Sequence, residues 1–356
     1  MPNFVRRGIV TFASLAITAA ATHAWSLTAQ ETLGQNVFFD TNLSEPAGQG
    51  CVSCHDPAFG FADPDQAIPV SAGVNPNLFG TRNSPSASYA VFSPTFTLKS
   101  GIKGGQFWDG RAATLTEQAK GPFLNPVEMA NTSRAQVIGK IAASAYAVLF
   151  NQVCGPDAFN SVNTDRSYDC MAASIAAFEG TTLFRPFTSK YDAVEAGTAT
   201  FTAQEQQGLS LFSRRGKCAH CHSLSGGNNP DLFSDFKFHN IGLPRNPQIY
   251  QLVGNTFTDL GLGAVLGDAR QNGKFKTSHL RNVERTPPYM HNGVLLSLKE
   301  VVHFYNTRDI PGLWPAPEVP GTLDSNFVGN LGLTDVEEDA IVAFMRTLTD
   351  GFVSGP

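Results

Sequence analysis

Two copies of one short motif constrain this chain more than any other feature. Both read Cys-x-x-Cys-His, the first at residues 51–55 and the second at residues 218–222. The motif attaches c-type haem, because its two thiols add to the two vinyl groups of one haem and the adjacent histidine binds the iron. A zinc site would need further Cys/His pairs at finger spacing, which the sequence lacks. Two covalent haems are therefore predicted, held by Cys51, Cys54, His55, Cys218, Cys221 and His222.

The residues before the two motifs form an internal repeat. Residues 27–34 read LTAQETLG, and residues 201–208 read FTAQEQQG. In both copies a threonine precedes a glutamate by three positions, the capping-box pattern that begins a helix. The repeat predicts two related domains, each with a helix that leads into its own motif. We place the first domain at residues 25–195 and the second at residues 196–356.

Elsewhere the helical patterns are clear and the strand patterns are weak. Apolar residues near helical spacing predict helices at 133–150 and 170–184, and a capping box of Thr334 and Glu337 predicts another. Long loops rich in Gly, Pro and Asn separate them, notably 226–258, as expected where side chains wrap around a large cofactor. The predicted fold class is mainly α: two cytochrome c-like domains with long loops, each carrying one covalent c-type haem.

The first 24 residues are typical of an export signal. Arg6 and Arg7 precede an apolar run over residues 8–21, and THA at residues 22–24 ends it, so we expect cleavage after Ala24. A membrane anchor would need about 20 apolar residues, more than this run offers. The mature chain is therefore expected in the periplasm, without membrane insertion.

Charge and the remaining cysteines agree with that expectation. The formal net charge is -5 and there is no Lys/Arg block, which argues against a nucleic-acid partner and favours a protein or a small molecule. Cys154 and Cys170 lie outside the motifs. In an oxidising compartment they can close a disulfide, which we favour over two buried free thiols.

Function depends on what lies on the far side of each haem. A Met or His as sixth ligand gives an electron-transfer haem, whereas an open position admits peroxide. Between Asp56 and Ala219 there is no histidine, and the methionines there are Met129 and Met171. The first haem is therefore the candidate for the open, peroxide-reactive site.

The second half offers four candidate ligands in residues 288–305: Met290, His291, His303 and Tyr305. On a helix over 298–305, at about 100° per residue, Tyr305 falls on the apolar face with Leu298, Val301 and Val302. His303 then points to the other side. Tyr305 is the inward residue, although a core tyrosine with Met290 or His303 as the ligand is the alternative.

Four short segments resemble one family. Residues 107–111 (FWDGR), 125–129 (NPVEM), 280–283 (LRNV) and 288–293 (PYMHNG) are similar to segments of the bacterial di-haem cytochrome c peroxidases and their relative MauG. The resemblance covers nearly all of the expected mature chain. It implies a distal carboxylate at Glu128, suited to general acid–base work on peroxide, in a pocket also lined by Gln118 and Pro122.

The resemblance also implies roles between the two haems. Trp108 corresponds to a tryptophan that relays electrons between them. Asn83, Thr286 and Pro288 fall where the family binds a calcium ion through an amide and backbone carbonyls, which are hard oxygen ligands. In the family the sixth ligand of the second haem lies fourteen positions after the turn histidine, here at Tyr305. That position is Met in ordinary di-haem peroxidases and Tyr in MauG.

The resemblance therefore favours a MauG-like enzyme. Such an enzyme uses hydrogen peroxide to form a high-valent di-haem state that oxidises a Trp on a periplasmic partner protein. The run 214–217 lacks the surface Trp that passes holes to the substrate in MauG, so we favour the MbnH-type group, whose partners are copper-related. The alternative is a cytochrome c peroxidase fed by a small cytochrome or cupredoxin, and a third is an electron-transfer protein with both haems fully ligated.

Overall fold

The computed structural model of the chain describes residues 26–99, 101–224 and 230–353. The predicted export signal and its cleavage after Ala24 lie outside the described residues. Within them the chain is mainly helical, and its sheet is limited to a two-stranded antiparallel ribbon in which Phe238 lies opposite Lys276. The prediction of a mainly α fold is confirmed.

Six helices lie in the part of the first half that the structure describes. They are α1 (Ala29–Phe39), α2 (Leu115–Ala119), α3 (Gly121–Leu124), α4 (Arg134–Ala142), α5 (Ala147–Cys154) and α6 (Thr164–Glu179).

The described residues of the second half supply six more helices and the ribbon. They are α7 (Lys190–Glu195), α8 (Ala203–Ser213), α9 (Pro247–Val253), α10 (Leu262–Leu266), α11 (Leu298–Thr307) and α12 (Asp335–Arg346), with β1 (Phe238–His239) and β2 (Phe275–Lys276).

Helix α1 packs along α6 in the first half. The capping box of Thr28 and Glu31 starts α1, as the sequence predicts. Gly34 lies against the backbone carbonyl of Ser174, where a Cβ atom would collide, so the absence of a side chain allows the two helices to approach. One turn later the rings of Phe38 and Phe178 meet edge to face, with centroids 5.7 Å apart.

Helices α8 and α12 repeat this arrangement in the second half. Thr202 and Glu205 form the capping box of α8. Gly208 lies against the carbonyl of Ala340, and the rings of Phe212 and Phe344 pack edge to face at 5.2 Å. The internal repeat of the sequence is thus a repeated helix pair, with a glycine and a phenylalanine at matching positions.

The hydrophobic core consists of two clusters. One is built from buried side chains between Leu33 and Phe184, and the other from buried side chains between Tyr191 and Leu348. The division into domains at residue 195 stays a prediction.

Three details differ from the sequence expectations. The helix predicted at 133–150 is broken after Ala142, and α5 starts again at an angle of 119°. At the break, Ser144 donates its hydroxyl to the carbonyl of Ile141, the kind of local bond that competes with helix continuation. The helix predicted at 170–184 runs instead from Thr164 to Glu179, and the long loop 226–258 contains α9.

The disulfide between Cys154 and Cys170 is present and joins the end of α5 to the middle of α6. No single helix among the described residues has the length and apolarity to span a membrane. The bent pair of α4 and α5 passes that test of length and composition when its two helices are taken together.

Candidate functional site

The first Cys-x-x-Cys-His motif lines a cavity of about 690 Å³. The residues that sequence and resemblance predicted for the peroxide pocket all lie on its wall: Cys51, Cys54, His55, Trp108, Gln118, Pro122 and Glu128. Helices α2 and α3 supply Gln118 and Pro122, and the turn that follows α3 supplies Glu128. Residues far apart in sequence are thus collected around one space.

The ring of His55 is held by a hydrogen bond that leaves its other nitrogen available to a metal. Its Nδ1 lies 3.1 Å from the carbonyl oxygen of Phe61, so Nδ1 carries the proton and donates. Burial lowers the pKa of His55, which keeps the ring neutral. The lone pair of Nε2 is then free to bind a metal, and the carbonyl fixes the ring as second-shell partners of ligating histidines usually do. With two cysteines on the same wall, these residues fit a covalently held haem.

Glu128 is positioned by the turn 125–128. The backbone N–H of Glu128 donates to the Asn125 carbonyl at 3.0 Å, and the Asn125 side-chain amide donates to the Glu128 carboxylate at 2.9 Å. Burial raises the pKa of Glu128, while the bond from Asn125 and the charge of Arg111 act in the opposite direction. A carboxyl group with a raised pKa can both take and return a proton near neutral pH.

Sequence reasoning missed two residues of this pocket. Asn125, which orients Glu128, lies three positions before it in the segment 125–129. Glu179, at the end of α6, also lines the cavity, and burial raises its pKa to about 8. No local pattern marks Glu179, because only the tertiary packing of α6 brings it to the cavity.

The methionines of the first half differ in their placement. Met129 lines the first cavity and is only 2% exposed, whereas Met171 is buried in the core and does not reach the cavity wall. Met129 is therefore the thioether that the electron-transfer alternative would have to use as sixth ligand.

The second motif lines a cavity of about 260 Å³. Nδ1 of His222 lies 2.8 Å from the carbonyl oxygen of Phe233, so this ring too presents Nε2 as its free donor atom. Burial lowers the pKa of His222 and keeps it neutral. Cys218 and Cys221 lie on the same wall, and the residues fit a second haem by the same criteria as the first.

Helix α11 faces this cavity with its apolar side. A capping box of Ser297 and Glu300 starts the helix, and the predicted inward residues all line the cavity: Leu298, Val301, Val302 and Tyr305. Burial is the main reason that the pKa of Tyr305 lies above its ordinary value. An unliganded phenol here stays protonated, so a phenolate would need a cation such as ferric iron beside it.

The other three candidate ligands differ in whether they line the second cavity. Nδ1 of His303 lies 3.0 Å from the carboxylate of Glu338, and His303 does not line the cavity. Met290 and His291 do line it. The His291 ring stacks on Phe275 with centroids 3.5 Å apart, and its buried Nε2 has no hydrogen-bond partner among the described residues. Tyr305, Met290 and His291 therefore share the wall, and His303 is on the other side of α11.

Trp108 lies on the wall that the two cavities share. It lines both of them, together with Asn83 and Phe107. Its indole Nε1–H donates to the Asn83 carbonyl at 2.8 Å, and its own carbonyl accepts from the Lys276 backbone N–H at 2.7 Å. A bond to the first half thus holds the indole, and a bond from the second half holds the backbone of Trp108.

An ion-pair network supports this wall, and the sequence did not reveal it. The Arg82 guanidinium bonds the Asp109 carboxylate at 2.6 Å and the Asp259 carboxylate through two nitrogens at 2.7 Å. The fork geometry of arginine suits such bidentate pairing. Arg82 therefore ties the segment that carries Trp108 to the second half. The pairing joins residues 177 positions apart, which no local pattern encodes.

The three predicted calcium ligands also lie together. Asn83, Thr286 and Pro288 all line the second cavity near Trp108. The Asn83 backbone N–H donates to the carbonyl of His291 at 2.8 Å, which holds the loop of Asn83 against the turn that follows Pro288. These groups offer the amide and carbonyl oxygens that calcium prefers.

Comparison with known proteins agrees with this geometry. Residues 28–200 match the family model described as di-haem cytochrome c peroxidase. The chain is 39% identical over 342 residues to methylamine utilization protein MauG of Paracoccus denitrificans, covering 89% of this chain and 88% of that protein. Fold and sequence together therefore show an oxidoreductase of the di-haem cytochrome c peroxidase and MauG family, and the chain belongs to that family.

Two solved structures are similar throughout. The diheme peroxidase BthA from Burkholderia thailandensis superposes with a TM-score of 0.83 at 35% identity, covering 90% of this chain and 86% of that chain. A MauG-like protein associated with microbial copper homeostasis superposes with a TM-score of 0.71 at 28% identity, covering 91% and 90%. The di-haem peroxidase fold is thereby shown for this chain.

Proposed function

We propose that this protein is a MauG-like enzyme that reduces hydrogen peroxide in the cavity of His55 and uses the oxidising equivalents on a tryptophan of a partner protein. The observation that carries the proposal is Tyr305, which shares the second cavity with His222 at the position where ordinary di-haem peroxidases have methionine. A Met ligand raises a haem potential, whereas an anionic oxygen ligand lowers it and favours oxidised iron.

The first cavity would carry the reaction with peroxide. Cys51, Cys54 and His55 would hold a haem there, and its iron would supply the site at which peroxide is reduced. Glu128 takes a proton from the near oxygen of peroxide and returns it to the far oxygen, which leaves as water. Asn125 holds the carboxylate during both transfers through its 2.9 Å hydrogen bond.

The second cavity would store oxidising power. Burial disfavours the phenolate, so Tyr305 would give up its phenolic proton only if its oxygen bound the iron of a haem held by Cys218, Cys221 and His222. The negative charge of Tyr305 would then stabilise the oxidised form of that site. Trp108, on the wall common to both cavities, would pass electrons between the two sites.

Further parts of the proposal follow from the motifs and the core clusters. We infer two cytochrome c-like domains, at residues 25–195 and 196–356, each with one covalent haem, and a calcium ion held by Asn83, Thr286 and Pro288. The expected compartment is the periplasm after cleavage near Ala24. Treatment with a calcium chelator should perturb the spectra of the haems and calcium should restore them; spectra unaffected by complete calcium removal would contradict the calcium site.

The proposed substrate is a periplasmic protein of the copper-related kind. Likeness to the MauG-like protein associated with copper homeostasis supports this choice, as does the run 214–217, which has no tryptophan. The expected product is then a kynurenine-type residue rather than a quinone. Mass analysis of a protein encoded beside this one, after incubation with the holoenzyme and peroxide, should show oxidation at one tryptophan.

The deciding experiment adds peroxide to the fully oxidised holoprotein. A MauG-like enzyme reacts at once, and Tyr305→Phe should change the spectrum of the second haem and shorten the life of the oxidised state. His303→Gln is the matched control, because His303 lies on the other side of α11 from the cavity. The proposal is wrong if the oxidised wild type ignores peroxide and reacts only after one-electron reduction.

That contrary result would favour the second candidate, a cytochrome c peroxidase supplied by a small cytochrome or cupredoxin. The family description and the similarity to the diheme peroxidase BthA support this candidate. Steady turnover of a reduced small cytochrome with peroxide would identify it.

A further inference from the structure

Resting on the proposed function, we propose that Trp314 is the residue through which electrons from the partner protein enter the second site, by way of the Phe304 ring and Tyr305. The sequence contains three tryptophans, Trp25, Trp108 and Trp314. Trp108 serves the wall between the cavities, and Trp25 lies outside the described residues. Trp314 has no role in the chemistry described so far.

A short series of rings joins Tyr305 to Trp314. The rings of Tyr305 and Phe304 have centroids 6.3 Å apart with planes at 87°, and those of Phe304 and Trp314 have centroids 5.1 Å apart with planes at 82°. Both are edge-to-face contacts of the kind that aromatic pairs prefer. Phe304 is completely buried, so the path between the cavity wall and the indole contains packed side chains rather than solvent.

Trp314 also reaches the surface. Every residue from 309 to 316 is exposed except Trp314, which is half-buried. Ile310 is 41% exposed and Leu313 is 47% exposed, so apolar residues near Trp314 in sequence also lie at the surface. Trp314 packs against the hydrophobic cluster of the second half and keeps part of its own surface exposed, an arrangement common at binding surfaces.

The hydrogen bonds of the indole favour transfer of an electron without a proton. Nε1–H of Trp314 donates to the Thr307 hydroxyl at 3.0 Å. That hydroxyl donates in turn to the carbonyl of His303 at 2.6 Å. Neither a hydroxyl nor a carbonyl is a base strong enough to take the indole proton. The oxidised indole therefore keeps its proton and remains a strong oxidant.

Each transfer through Trp314 moves one electron from the partner to the second site. One electron leaves the Trp314 indole for the second site, which is reduced by one equivalent, and the indole becomes a radical cation. A tryptophan of the partner then gives one electron to Trp314 and restores it. Two such transfers use the two oxidising equivalents of one peroxide. Phenylalanine is too difficult to oxidise to hold a charge, so Phe304 acts only as the medium between the two residues.

Two variants separate an electron-transfer role from a packing role. Trp314→Phe and Trp314→Tyr both remove the indole and its bond to Thr307, but only tyrosine can be oxidised in place of tryptophan. Trp25→Phe serves as the control for loss of a tryptophan elsewhere. Each holoprotein receives one equivalent of peroxide without any partner, and freeze-quench EPR, optical decay and peptide mass mapping are recorded.

In the wild type we expect an indole radical and added oxygen at Trp314, since the enzyme then oxidises itself. Trp314→Phe should abolish both and prolong the peroxide-generated state by about tenfold, a change of roughly 1.4 kcal/mol in the barrier to its decay. Trp314→Tyr should restore faster decay and give a tyrosyl signal. The Trp25→Phe protein should behave like the wild type.

The outcomes of this experiment distinguish an error in the role of Trp314 from an error in the proposed function. If Trp314→Phe decays like the wild type, or if Trp314→Tyr matches Trp314→Phe, Trp314 is only a packing residue, while the MauG-like function stands. If the oxidised wild type gives no reaction with peroxide, the proposed function is wrong, and the role of Trp314 falls with it.

Discussion

The indole N–H of Trp108 donates to the backbone carbonyl of Asn83 at 2.8 Å, and both residues line both cavities. The bond fixes the plane of the indole on the wall between the two Cys-x-x-Cys-His motifs. Since Asn83 is also a proposed calcium ligand, a calcium ion bound there would be coupled to the position of the tryptophan. A change in the structure of either one should alter the position of the other.

We expect Trp108→Phe to leave the first site reactive but to isolate it from the second. Phenylalanine fills much of the same space, but it cannot be oxidised and cannot donate to Asn83. Stopped-flow spectra should then show a fast change at the first haem and a delayed change, or none, at the second. Simultaneous changes at both haems in the variant would contradict the relay role of Trp108.

Glu128→Gln should slow the reaction with peroxide by about 10², the usual effect of removing an acid–base group. Glutamine keeps an oxygen that can accept from Asn125, so the turn should remain intact and both haem spectra should be preserved. Glu117→Gln is the matched control, because Glu117 is exposed on α2 and pairs with Lys120. Equal rates for the two variants would remove Glu128 from the mechanism.

The pH dependence of the same reaction should identify the carboxyl group. Burial raises the pKa of Glu128 above its ordinary value of 4.5, and only the ionised form can take a proton from peroxide. The rate should therefore fall as the pH decreases, with a midpoint above 4.5, and Glu128→Gln should lose this limb. A pH profile that is the same in wild type and variant would assign the limb to another group.

Intact mass spectrometry tests the covalent attachment. The mature chain should carry the mass of two haems, and extraction with acidified organic solvent should remove neither. Cys221→Ser should leave the second haem attached through one thiol or lost, while the first is unaffected. A wild-type mass corresponding to one haem would contradict the prediction from the two motifs.

The repeated helix pairs make a prediction about stability. Gly34→Ala and Gly208→Ala would force a methyl group against the carbonyls of Ser174 and Ala340, so each should lower the free energy of unfolding by about 1–3 kcal/mol. Gly139→Ala is the control, because it lies within α4 with open space around it, and it should be neutral or stabilising by up to about 1 kcal/mol. Thermal denaturation of the three variants measures the difference.

The sequence predicts those parts of the site that depend on local pattern. The capping boxes of α1, α8 and α12 are present where Thr precedes Glu by three residues. The inward face of α11 follows from helical spacing alone, which is why Tyr305 was found and His303 was set apart. Several residues of the first cavity were predicted from short segments that resemble those of the di-haem cytochrome c peroxidases and occur in a matching order along the chain.

Long-range contacts were not predictable in this way. Arg82 pairs with Asp259 across the two halves, and Glu179 reaches the first cavity only because α6 packs against α1. The break between α4 and α5 was not predicted because apolar residues recur near helical spacing along the run 133–150, and only the structure shows the Ser144 hydroxyl bonded to the Ile141 carbonyl at the break. Trp314 is significant only through Phe304, a contact that spacing along the chain does not show.

The two cavities, built on equivalent helix pairs, differ in their walls: Gln118, Glu128 and Glu179 line the one around His55, whereas Leu298, Val301 and Val302 line the one around His222. Polar groups around a redox centre favour water dipoles, which must turn whenever the charge of the centre changes. An apolar wall leaves fewer dipoles to turn, which lowers the reorganisation energy of electron transfer. Under the proposed function, one half of a repeated scaffold would thus be suited to making and breaking bonds and the other to holding charge.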